Sequence, residues 1–151
     1  MRKDLEKRLF EDFPDLYCRQ FEPQGFHISC HSGWEPLLRR LSERITKIVQ
    51  TLPLESPGSV DKSSTSDEKV GQYVGLTARS FCVDQVKEKF GELRFYMNRS
   101  TTGIELAIQD AVEESLTTCE TCGRSGELRS GPWLFVACDE HNESDEEVIK
   151  F

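Results

Sequence analysis

The sequence predicts an α+β fold, a small mixed helix and antiparallel-strand domain closed by a cysteine-bearing module near the C-terminal end. Three observations carry this expectation. Apolar residues recur at helical spacing in two stretches of the first half and again after residue 102. The period changes to two around VKEKFGELRFYM, residues 86–97. Two short Cys-x-x-Cys/His corners stand at 119–122 and 138–141.

The first helix is expected from Leu5, Leu9, Phe13 and Leu16, with Pro14 ending or bending it at Phe13. YCRQFEPQGFHISCHSG then reads as a loop with one short strand around Phe26 to Cys30. In the second helix Ser32 and Glu35 have the spacing of a capping box, and Pro36 is tolerated in the first turn. Trp34, Leu37, Leu38, Leu41, Ile45 and Ile48 share its apolar face, and Pro53 stops it. Residues 53–69, PLESPGSVDKSSTSDEK, have little to bury and are expected to form a mobile surface loop.

Further on, Phe81, Val83 and Gln85 alternate against Cys82, Asp84 and Val86, so two strands should meet around Phe90 and Gly91. Phe95 is expected inside, with Lys87, Lys89 and Arg94 largely outside. Thr102 and Glu105 suggest another capping box, opening a helix with Ile104, Ala107, Ile108, Ala111 and Val112 on one face. The expected organisation is a domain over 1–116 and a module over 117–151 packed on it.

Composition bounds the function. A chain of 151 residues with 36% apolar and 30% charged residues has room for one modest core. No apolar run is long enough to span a bilayer, and the charged, amphipathic start lacks the apolar block of a secretory signal. A cytoplasmic protein with reduced cysteines is therefore expected. Net charge is +1 over residues 1–52, zero over 53–103 and −9 over 104–151, so the last third holds the whole imbalance. Such a module repels phosphate and favours a protein partner with a basic surface.

Cys119, Cys122, Cys138 and His141 can converge tetrahedrally on one metal ion, with zinc the expected occupant and iron the alternative. The other readings are a redox disulfide and chance spacing. Gly123 should supply the positive φ that a knuckle needs. Between the corners, Gly126 to Arg129 and Trp133 to Ala137 read as a hairpin, with Trp133 packing on the knuckle. Knuckle, hairpin and a ligand pair before a helix-forming stretch is the order of a treble clef; a zinc ribbon is the alternative. Four protein donors leave no open position, so the zinc is expected to be structural, contributing on the order of 10 kcal/mol to folding. Cys18, His27, Cys30 and His31 are spaced too irregularly for a second site, so lone buried thiols and a surface histidine are expected instead. Cys82 reads as a core residue.

FPDLY at 13–17, CHSGWEPLL at 30–38, QVKEKFGELRFYM at 85–97 and CETCG with GPWLFVACDEH at 119–141 together resemble a group of small phage and prophage proteins. That resemblance covers most of the chain and implies a zinc-bearing phage-type accessory protein acting in the cytoplasm of a bacterial host cell, with no reaction attached.

No Ser-His-Asp set, phosphate-binding glycine loop or HExxH is present, and a non-enzymatic role is expected. The leading expectation is protein–protein binding, as an inhibitor of a host or defence complex such as a CRISPR assembly. The alternative is a nucleic-acid-binding zinc protein or transcription accessory factor. Its basic residues would be Arg39, Arg40, Arg44 and Lys47, or Lys87, Lys89, Arg94 and Arg99 with Phe90 and Tyr96. In sequence both sets are interleaved with Glu43, Glu88 and Glu92.

Overall fold

The computed structural model describes residues 1–23, 25–52 and 81–142. The expected mobile loop at 53–69 lies outside them, as does everything after Asn142. Helix α1 spans Lys3–Asp12, strand β1 Ile28–Ser29, helix α2 Glu35–Thr51, strands β2 and β3 Val83–Lys89 and Glu92–Met97, helix α3 Thr102–Ser115, and strands β4 and β5 Glu127–Arg129 and Phe135–Ala137. The class is α+β, with three α-helices and two small sheets among the described residues. Among these residues no helix is long and apolar enough to cross a membrane.

One core serves the helices and the larger sheet. Leu9 of α1, Leu37, Leu38, Leu41 and Ile45 of α2, and Ile104, Ala107 and Ala111 of α3 cluster with Val83, Val86, Leu93 and Phe95. Helices α2 and α3 thus bury much of the stripe their spacing marked. Of the stripe expected for α1, only Leu9 is buried within the helix, and Leu16 reaches the core from the turn beyond it. Arg40 and Arg44 of α2 pair with Glu114 and Asp110 of α3, lacing the two helices along their exposed flank. Two serines make polar contacts deep in the core: Ser42 Oγ lies 2.9 Å from Tyr17 Oη and donates to Leu38 O at 2.7 Å, and Ser115 Oγ accepts the Leu93 N–H at 3.1 Å. Burial pushes the Tyr17 phenol well above its ordinary pKa.

The sheet runs β1-β2-β3, β1 parallel and β3 antiparallel to β2. The simple alternation expected over 81–86 is broken by a register shift between Val83 and Gln85. With one extra residue at this bulge, Val83 and Val86 both reach the core although they are three positions apart, and Gln85 turns outward. Lys89 and Glu92 close the β2–β3 hairpin, and the two residues between them both have positive φ, +59° at Phe90 and +77° at Gly91. That is the pattern of a type I′ turn, natural for Asn-Gly and costly for a phenylalanine by roughly 1 kcal/mol. A side chain at Gly91 would sit 2.4 Å from Leu128 Cδ1, because the turn packs onto the second hairpin.

Both expected capping boxes are corrected. Ser32 to Trp34 form a 3-10 turn ahead of α2, and no side chain caps that helix. Ser32 Oγ instead accepts the Arg2 N–H at 2.9 Å, and Glu35 turns to Arg39 at 2.9 Å. At α3 the cap lies one residue earlier than expected: Thr101 Oγ1 accepts from Ile104 N at 3.3 Å.

A further correction concerns Cys18, expected as a lone buried thiol; Cys82, expected as a core residue, is buried and is its partner. They form a disulfide, with Cα atoms 5.8 Å apart and a sequence separation of 64. The partners meet because Val83 N donates to Leu16 O at 2.8 Å, laying the start of β2 along the turn after α1. A cross-link over that separation stabilises by about 4 kcal/mol in the chain-entropy account. Denatured without reductant, the protein should therefore be alkylated at four of its six cysteines, and at all six after reduction. Mass spectrometry of the alkylated chain checks this, and six adducts without reductant would contradict the pairing.

Candidate metal centre

The C-terminal end of α3 delivers the first ligand pair. Thr117 and Thr118 hydroxyls donate back to Glu114 O at 3.3 and 2.8 Å, turning the chain out of the helix. Gly123 N donates to Cys119 O at 2.8 Å and Cys119 N to Arg124 O at 2.7 Å, closing a tight knuckle. Gly123 has φ +77°, as that turn requires. Strands β4 and β5 pair in the register Glu127↔Ala137 to Arg129↔Phe135 and return the chain to the second pair. Cys138 leaves β5, and a 3-10 turn over Asp139–His141 brings the histidine round, its N–H donating to Cys138 O at 3.0 Å. The element order is that expected of a treble clef up to this turn; the helix-forming stretch beyond falls outside the described residues.

The four side chains converge. All four ligand atoms lie within 4.8 Å of one another. Cys122 Sγ is 3.7 Å from Cys138 Sγ, and His141 Nδ1 is 3.7 Å from Cys119 Sγ and 3.2 Å from Cys138 Sγ. Tetrahedral zinc with thiolate bonds near 2.3 Å would set its sulfurs about 3.8 Å apart. The donor set therefore fits a metal ion, with Nδ1 as the histidine ligand. Cys119 is fully buried, Cys138 and His141 are half-buried, and Cys122 is exposed.

Charged residues that the spacing did not mark frame the ligands. Arg124 Nε lies 3.4 Å from Cys122 Sγ, and its other nitrogens grip the Glu140 carboxylate. Hydrogen bonding from Arg124 pushes the Cys122 thiol down to about 6, favouring the thiolate that a metal binds. Glu140 is held below the usual carboxylate range by the same guanidinium. Loss of solvent pushes Cys138 the other way, upward. Arg129 is buried, with Nε on Ala137 O at 3.3 Å and an Nη on Asp139 Oδ1 at 2.6 Å. One arginine thus serves each corner.

The knuckle is fixed to the N-terminal half by equally specific contacts. Gly33 N donates to Glu120 O at 2.7 Å, Trp34 Nε1 to Thr118 O at 2.9 Å, and His31 N to Glu120 Oε1 at 2.7 Å. Glu120 is buried, and desolvation raises its pKa against the lowering effect of the His31 N–H. A methyl group at Gly33 would lie 2.5 Å from Cys119 O, Glu120 O and Gly123 N. These partners were invisible as site residues in the sequence; the adjacency of Gly33 to Trp34 was the available hint.

Cys18, His27, Cys30 and His31 go separate ways. Cys18 bonds Cys82, His27 Nδ1 lies 3.8 Å from Glu6 Oε2, and His31 Nδ1 lies 3.6 Å from Glu120 Oε2. Cys30 is buried, which pushes its thiol up to about 12. Trp133, expected to pack on the knuckle, projects from the β4–β5 tip with 79% of its surface exposed.

Two outcomes follow for the purified protein. Arg124→Ala should lose its metal to a competing chelator at roughly 10- to 100-fold lower chelator concentration than wild type, as for lost partners of metal ligands elsewhere. Gly33→Ala should lower the melting temperature by several degrees, because three backbone atoms must move to admit one methyl group. Chelator titration followed by a zinc-responsive dye, and thermal denaturation by circular dichroism, are the respective checks.

No family model, curated protein or solved structure matches this chain, so the centre's role has to be read from its own atoms.

Proposed function

We propose that this is a non-enzymatic, zinc-stabilised accessory protein of phage type that acts by binding a protein partner, an inhibitor of a host or defence complex such as a CRISPR assembly. Zinc is the proposed ion because three thiolates and one imidazole at tetrahedral spacing suit it, and its role is structural because protein donors fill all four positions.

The observation that carries the reading is the exposure of Trp133. The hairpin bearing it is anchored at both ends by ligand residues, Cys122 before β4 and Cys138 after β5. A large aromatic ring held out from a rigid support is the kind of anchor that dominates binding energy at protein interfaces.

Charge adds steering. Residues 104–142 carry eight carboxylates against two arginines. Asp110, Glu114, Glu127, Asp139 and Glu140 are already engaged by arginines, and Glu120 is buried. The acidic balance therefore acts as a long-range field toward a basic partner more than as a set of vacant pairing groups.

Immobilised wild-type protein should retain a specific protein from bacterial host lysate, and Trp133→Ala should lose it while keeping its metal content. Retention of nothing specific by wild type, or equal retention by the metal-loaded variant, would remove this reading.

A further inference from the structure

The outer face of the β1-β2-β3 sheet is built differently from the rest of the molecule. In the sequence its lysines alternate with carboxylates, but strand pairing separates them. Lys87 faces Arg94, Lys89 faces Glu92 and Gln85 faces Tyr96 on the outer side, whereas Glu88 faces the fully buried Leu93. Glu88 Oε1 accepts the Gly91 N–H at 2.6 Å and is used up in the turn. The other two carboxylates of these strands are Glu92, which pairs with Arg94 at 3.2 Å, and Asp84, which pairs with Arg19 at 2.5 Å. Among the described residues of β2 and β3, three cations against one carboxylate thus line this face, on a chain whose formal charge is −8. Ser29 of β1 continues the exposed surface beside Lys87.

Aromatic rings stand among these cations. Tyr96 is 49% exposed and Phe90 61% exposed. Lys87 Nζ lies 6.0 Å from the Tyr96 ring centre and Lys89 Nζ 5.2 Å from that of Phe90. Phe90 also occupies a left-handed backbone position that Asn or Gly would fill without strain, and it contributes nothing to the core. Strain at an exposed aromatic points to a role outside folding.

We propose that this face binds single-stranded nucleic acid, with phosphates at Lys87, Lys89 and Arg94 and bases stacked on Tyr96 and Phe90. Cations that track a backbone, interleaved with rings that accept any base, form the chemistry of sequence-tolerant single-strand binding. The face is the outward side of a sheet whose other side is core, so its rings are presented on a rigid support. This goes beyond the protein-binding reading and uses a different hairpin from the one that carries Trp133.

Fluorescence anisotropy of labelled oligothymidylate and oligouridylate across a salt series tests it. Wild type should bind at least one of them at low salt, more tightly than a duplex of equal length. A Lys87→Gln/Lys89→Gln double variant should bind more weakly, with the slope of log K against log salt shallower by about 1.4 if both lysines meet phosphates. Tyr96→Ala should lose roughly tenfold or more in affinity. Phe90→Asn should weaken binding while raising the melting temperature, so its loss cannot be ascribed to unfolding. Absence of binding by wild type at low salt, equal affinity for duplex, or wild-type affinity in the lysine and aromatic variants would each overturn the proposal. So would a face whose variants lose a protein partner while the wild type binds no oligonucleotide.

Discussion

Gly33 has no room for a side chain, and the architecture turns on that fact. Its backbone lies so close to the Cys119–Gly123 knuckle that an added Cβ would meet three main-chain atoms at 2.5 Å. The contact lets Gly33 N reach Glu120 O, and it seats the buried Trp34 with its indole N–H on Thr118 O. Trp34 in turn begins the apolar face of α2, so the ligand knuckle and the helical core share one residue. The candidate metal knuckle and core packing are therefore coupled through a backbone approach that only glycine permits.

How far the sequence discloses this depends on the range of the interactions. Helix faces, the β2–β3 pairing and the β4–β5 hairpin follow from local periodicity and turn residues, and their positions match the structure closely. The ligand quartet was legible because its spacing encodes the geometry of both corners. What failed to show was nonlocal or competitive. Ser32 has the right neighbour for a capping box, yet Arg2 takes its hydroxyl and the knuckle takes the following glycine. Cys18 and Cys82 carry no mutual signal, because nonlocal contacts, Leu16 with Val83 and Arg19 with Asp84, bring them together. The bulge between Val83 and Gln85 reverses which residues face inward, which an alternating pattern cannot announce.

Charge shows the same division between composition and placement. The excess of carboxylates in the last third of the chain reads as an acidic surface, but α2 arginines neutralise part of α3, and Arg124 and Arg129 absorb carboxylates beside the ligands. The mixed VKEKFGELRFY segment, three cations and two carboxylates, reads as nearly balanced, yet the pleat sorts its lysines to one side and Glu88 to the other. A sequence total fixes the far field; the pairing register decides what a partner meets at contact.

The order of the ligands along the chain has a consequence for synthesis. His141 is the fourth donor and one of the last residues described, while the glycine that receives the knuckle was translated more than a hundred positions earlier. The first two helices therefore meet the knuckle they dock against only after β2, β3 and α3 have been made. A chain interrupted between Cys138 and His141 would carry three of the four donors, so the second corner is the step that completes the set.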